Sequence, residues 1–175
     1  MVQIISAPDV GLVAVHQKGL ATTARSFYVA GNIADFYQYA MLNRTSPPDL
    51  LICDYLWLDD IHRFTAPRGE LAFLRHTPMI VVFDRDRFQD GDGLEQQDVV
   101  VRHGSAANII HCLNFDEQFE PAQFQHLVQA FDHAAAHGAV TFSSFQATFA
   151  TTEGRRTALD KSGYGRSYSL RELSQ

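Results

Sequence analysis

Only two cysteines occur in the 175 residues, Cys53 and Cys112, and each lies inside an apolar run, LLICDYLW and IIHCLNF. That excludes a disulfide framework, and both read as buried free thiols. No CxxC pair and no HExxH occurs, so the common zinc spacings are missing. GxSxG, P-loop and GxGxxG motifs are also missing. Cys53 and Asp54 are a poor catalytic dyad, because consecutive strand residues point to opposite faces. Catalysis is therefore not expected. No run of about 18 apolar residues is present, so no membrane span is expected. A basic region followed by a long apolar run is lacking at the N-terminus, so no secretory signal is expected. Positive charge is scarce: 14 Lys and Arg face 20 Asp and Glu, a net charge of −6. Nucleic acid is not expected as a partner, since phosphate binding needs clustered cations. These absences together describe a cytoplasmic, reducing setting.

What is present suits one packed domain. Hydrophobic residues make up 46% of the chain, enough for a core without staples. Val2 to Ser6 reads as a buried strand, and Asp9 is placed to cap a helix over Val10 to Ala24. Arg25 to Ala30 is a second strand. Ile33 to Arg44 carries Ile33, Phe36, Tyr37, Ala40 and Met41 on one helical stripe, and Pro47 and Pro48 stop it. Leu50 to Leu56 is apolar on both faces apart from Asp54, the pattern of a central parallel strand. Glu70 to Arg75 reads as a short helix, Pro78 to Phe83 as a strand and Asn108 to Leu113 as the last core strand. Pro121 to Ala136 is a helix that buries Phe124, Leu127, Val128 and Phe131. Strands alternating with helices predict an α/β fold. The expected form is a flavodoxin-like, doubly wound, five-stranded parallel sheet with helices on both faces.

Three segments carry a family resemblance. PPDLLICDYLW (47–57) is similar to the third strand of response-regulator receiver domains, with Asp54 matching the phospho-accepting aspartate. TPMIVVF (77–83) resembles their fourth strand. HCLNFDEQFEPAQFQHLVQAF (111–131) resembles their fifth strand and last helix. The resemblance covers residues 1–137 and leaves 138–175 as a C-terminal extension or partner-binding tail. Within it, AVTFSSFQATFATTEG reads as an extra strand or hairpin. TALDKSGYGRSYSLREL is too short and too rich in glycine for a recognition helix.

The resemblance implies an acid pair for Mg²⁺ beside the acceptor, a hydroxyl on the fourth strand and a lysine on the fifth. Here those positions hold Ser6 and Ala7, Phe83, and Leu113 followed by Asn114; Asp9 is the nearby carboxylate. The resemblance is thus to a degenerate, pseudo-receiver form. The expected function is a non-enzymatic signalling or assembly module that binds a partner protein or forms a homodimer. Asp9, Phe115 and Phe119 are the binding candidates, the last two from the apolar loop before Pro121. No cofactor is expected, with Mg²⁺ entering only if Asp54 is phosphorylated. The alternatives are a response regulator that accepts phosphate on Asp54, and a domain binding a small ligand or nucleotide at the strand carboxyl edge.

Two further patterns read as solvated surface. DRDRFQDGDGLE (84–95) has carboxylates at calcium-loop positions, but Gln89 stands where an EF-hand needs glycine. His126, His133 and His137 can share a helix face near its C-terminus, where the helix dipole favours histidine.

Overall fold

The computed structural model describes residues 3–8, 10–23, 25–84, 108–115 and 122–151. Five strands lie in it: β1 (Gln3–Ala7), β2 (Ser26–Val29), β3 (Leu50–Asp54), β4 (Met79–Asp84) and β5 (Ile109–Phe115). All pair in parallel, in the order β2-β1-β3-β4-β5. This is the flavodoxin-like order, with the switch point between β1 and β3. The expected fold class holds.

The helices are α1 (Val13–Leu20), α2 (Ile33–Leu42), α3 (Leu58–Thr65), α4 (Ala122–Ala135) and α5, residues 142–151. Among the described residues, no helix is long and apolar enough to cross a membrane.

The central strands are buried on both faces, so their alternating residues feed two cores. Ile5, Leu51, Cys53, Met79 and Val81 pack with Phe36 and Ala40 of α2 and with Leu58 and Ile61 of α3. Ile4, Leu50, Ile52, Ile80 and Val82 pack with Leu20 of α1, Phe124, Leu127 and Phe131 of α4, and Phe145 of α5. Cys53 and Cys112 are free and buried, as expected of them.

Four local readings change. β3 ends at Asp54 rather than at Leu56, because the Asp54 carboxylate accepts the Leu56 N–H (2.9 Å) and turns Tyr55–Trp57 into a 3₁₀ turn. α3 follows at once, in a stretch with no expected helix. It has eight residues, and its buried positions are Leu58, Ile61 and Thr65. The expected helix at Glu70 to Arg75 is a 3₁₀ turn over Ala72–Leu74.

The fourth change is at the C-terminal side, where 142–151 is helical and not a strand or hairpin. Thr141 and Ser144 bond reciprocally. The Thr141 N–H donates to Ser144 Oγ (2.9 Å) and the Ser144 N–H to Thr141 Oγ1 (3.2 Å). That is a capping box, which overrides the strand propensity of the Thr and Phe residues. α5 docks on β5, the edge strand. Gln146 Nε2 donates to Ile110 O (3.0 Å) and meets His111 Nδ1 at 2.9 Å. An outward strand carbonyl is thereby occupied and the edge covered.

The turn after α3 depends on Gly69. Its N–H donates to Ala66 O (2.7 Å), and a Cβ there would overlap the Phe64 carbonyl. Gly69→Ala is expected to lower the unfolding free energy by about 1–3 kcal/mol through overpacking against backbone. Urea titration would show this as a lower midpoint with an unchanged slope.

Candidate functional site

In open α/β sheets, functional groups collect outside the strand carboxyl ends at the switch point. Here that edge is formed by the ends of β1, β3 and β4. Register places Ala7 beside Cys53 and Asp54 beside Val82. Asp54 therefore stands at the carboxyl end of the central strand, where the resemblance puts a phospho-acceptor.

Its surroundings are those of a core residue. Asp54 is only 2% exposed, and Oδ1 is engaged by the Leu56 N–H. Trp57 Nε1 donates to Pro8 O (3.2 Å), tying the segment after β3 to the segment after β1. On the neighbouring strand, Ser6 is fully buried and its Oγ lies 2.6 Å from Nδ1 of His16, which is also fully buried. The His16 ring packs edge-on against Phe124, with centroids 4.8 Å apart. Burial pushes the imidazole down to about 3 from its ordinary 6.5, so it is neutral at physiological pH. A neutral Ser–His contact thus occupies the strand end where the resemblance calls for a carboxylate. Nothing in the sequence pattern of α1 marked His16 out. It falls one turn before Leu20, at an inward position that an apolar residue would ordinarily fill.

Cys53 is held as the protonated thiol. Burial, then the negative charge of Asp54, raises its thiol well above the ordinary range, and its Sγ lies 3.4 Å from Met79 Sδ. Cys112 is pushed up to about 12, again by burial.

Beside β2 the same edge carries a polar cluster. Tyr28 Oη donates to Asp35 Oδ1 (2.7 Å), and Asp35 Oδ2 accepts the Gly31 N–H (2.8 Å). Tyr28 also stacks on Tyr39 at 3.7 Å. The Asp35 carboxylate beside it raises the Tyr28 hydroxyl to about 12, with burial adding to the shift. These contacts fix the start of α2, whose N-cap Asn32 accepts the Asp35 N–H (2.9 Å).

Of the residues singled out in the sequence, Asp54 is placed as expected. Asp9 and Phe119 lie outside the described residues, as do the stretch after Asp84 and the tail beyond 151. Phe115 is the last residue of β5 and pairs with Asp84 by register. His133 and His137 are exposed, with rings 4.8 Å apart, and Nδ1 of His137 lies 2.8 Å from His133 O. Among the described residues, no three of His, Cys, Asp and Glu converge on a point that could hold a metal ion.

Comparison with solved structures finds a response regulator protein from Burkholderia multivorans, determined in solution. It shares 19% identity, with a TM-score of 0.46, over 75% of this chain and 96% of that one. No protein-family model and no curated protein matches the chain.

Proposed function

We propose that the chain is a non-enzymatic signalling or assembly module, a pseudo-receiver that acts by protein–protein contact. One observation carries this reading. The β1 position that the resemblance assigns to a metal-binding acid holds Ser6, which pairs with Ile52 by register and is engaged in the buried Ser6–His16 contact. Mg²⁺ is held through carboxylates and waters, and its charge offsets that of an incoming phosphoryl group. A hydroxyl and a neutral imidazole turned into the core offer neither charge nor water-facing oxygen. Among the described residues, the Ser6 position therefore supplies no ligand for Mg²⁺, and no three acidic or imidazole groups converge there. Asp54 itself has a structural task as the cap of the turn that leads into α3. The readout positions of the resemblance are likewise apolar, with Phe83 on β4 and Leu113 on β5. A fold retained without its charge-sensing groups still offers surfaces to a partner protein or to a second copy of the chain.

Acetyl phosphate with Mg²⁺, followed by intact-mass measurement, tests the reading. The expected spectrum shows no phosphoryl adduct. An adduct on the wild-type chain that disappears in Asp54→Asn would overturn the proposal in favour of a phosphorylatable regulator. Asp54→Asn keeps an oxygen for the Leu56 N–H, so the variant is expected to stay folded. Asp54→Ala removes that oxygen and is expected to cost about 1 kcal/mol.

A further inference from the structure

The amino edge of the sheet, opposite Asp54, carries a cleft that the reading above does not use. It has a volume of about 360 Å³ and is bounded by His62 and Thr65 of α3, Pro67, the Arg75–His76 pair before β4, Asn108 before β5, and Val140. Among the described residues no carboxylate lines it, although the chain as a whole has a net charge of −6. Among the described lining residues Arg75 is the one permanent cation.

The hydrogen bonding around the cleft makes it a donor site. Arg75 Nε donates to Nε2 of His76 (2.7 Å). With Nε2 as the acceptor, the neutral tautomer of His76 carries its proton on Nδ1 and so has a donor on the other side of the ring. The bond also leaves the two terminal nitrogens of Arg75 as its end-on fork. The carbonyls that would repel an anion are engaged by other donors. Phe64 O accepts the Leu71 N–H (2.8 Å), Ala66 O the Gly69 N–H (2.7 Å) and Leu74 O the Thr77 N–H (2.9 Å). Thr77 O accepts Asn108 Nδ2 (3.0 Å) and Asn108 O the Met79 N–H (2.7 Å). At the C-terminal end of α3, which disfavours negative charge, the Phe64 and Ala66 carbonyls are thereby engaged.

We infer that this cleft binds a small organic monocarboxylate. Arg75 and His76 hold the carboxylate, and Pro67 and Val140 flank its apolar body. One cation matches one negative charge, which favours a carboxylate over a phosphate dianion. The volume is at the small end of ligand pockets, which span roughly 300–1,000 Å³. The inference does not depend on the role of Asp54, because the two sites lie at opposite ends of the strands.

Titration of isotope-labelled protein with sodium benzoate, followed by amide NMR, tests it. Saturable shifts are expected at the Asn108 side-chain amide and the Thr77 N–H. Arg75→Gln is expected to weaken binding at least about tenfold, since it removes a charge-assisted contact. Arg44→Gln, an exposed change beyond the end of α2, is expected to leave binding unchanged. Arg75 is itself exposed, so its variant should keep the wild-type spectrum elsewhere. An absence of saturable shifts, or shifts that survive Arg75→Gln, would overturn the proposal. So would inorganic phosphate binding as tightly as benzoate, because the apolar wall would then have no role.

Discussion

Phe145→Ala is expected to lower the unfolding free energy by about 3–5 kcal/mol, the cost of removing a fully buried aromatic ring from a packed core. Phe145 is fully buried and belongs to the same cluster as Ile80, Ile110 and Phe124. Its ring lies 5.3 Å from His111 and 5.9 Å from Phe149, which sits one helical turn away. Losing the ring would open a cavity between α5 and the edge strand, and the neighbouring rings could fill it only partly. Leu42→Ala provides the contrast: that side chain is 83% exposed, and the change is expected to stay within about 0.5 kcal/mol. Urea titration followed by far-UV circular dichroism compares the two. A loss below about 1 kcal/mol for Phe145→Ala would mean that α5 adds nothing to the cooperative unit.

α5 also shows where sequence patterning failed. AVTFSSFQATFATTEG is rich in Thr and Phe, which favour strands by propensity. The competing signal was present, because Thr141 and Ser144 are spaced as a capping box and Phe145 and Phe149 as neighbours on one helix face. Propensity is a weak prior, and the tertiary contacts of Gln146 and Phe145 with β5 decide the outcome. β3 and β4, by contrast, were legible because residues buried on both faces must be apolar throughout. The five-strand order followed from the alternation of elements and held. α3 was hidden because its inward stripe amounts to Leu58, Ile61 and Thr65 in a segment with four charged or imidazole side chains. Asp54 was found because a lone acid in an apolar strand has to be explained. The Ser6–His16 pair was not, since its members are ten residues apart and only the crossing of α1 over β1 brings them together.

That pair leads to the second large effect, a loss of stability in mild acid. Burial pushes the His16 imidazole down to about 3 and that of His111 down to about 4, from an ordinary 6.5. In His111 the bond with Gln146 opposes part of the shift. Above pH 6.5 both the folded and the unfolded chain hold these rings neutral, and their contribution to stability is fully present. As the pH falls below that value, the unfolded chain takes up two protons that the folded chain does not. Stability then falls by roughly 1.4 kcal/mol per pH unit for each ring. The decline continues until the folded rings protonate, near pH 4 for His111 and near pH 3 for His16. At about pH 5 the two together should have removed about 4 kcal/mol, most of it before carboxylates begin to protonate. Against the roughly 5–15 kcal/mol of an ordinary domain, that is a large share. Urea unfolding at about pH 7.5 and about pH 5 measures the difference. The His16→Gln, His111→Gln double variant should be less stable at neutral pH yet lose more than half of the pH dependence. Gln can still bond to Ser6 or Gln146 but cannot take up a proton in this range. If the double variant kept the wild-type dependence, carboxylates would carry it. The carboxyl end of β1 would then be more open to water than the buried Ser6–His16 contact implies.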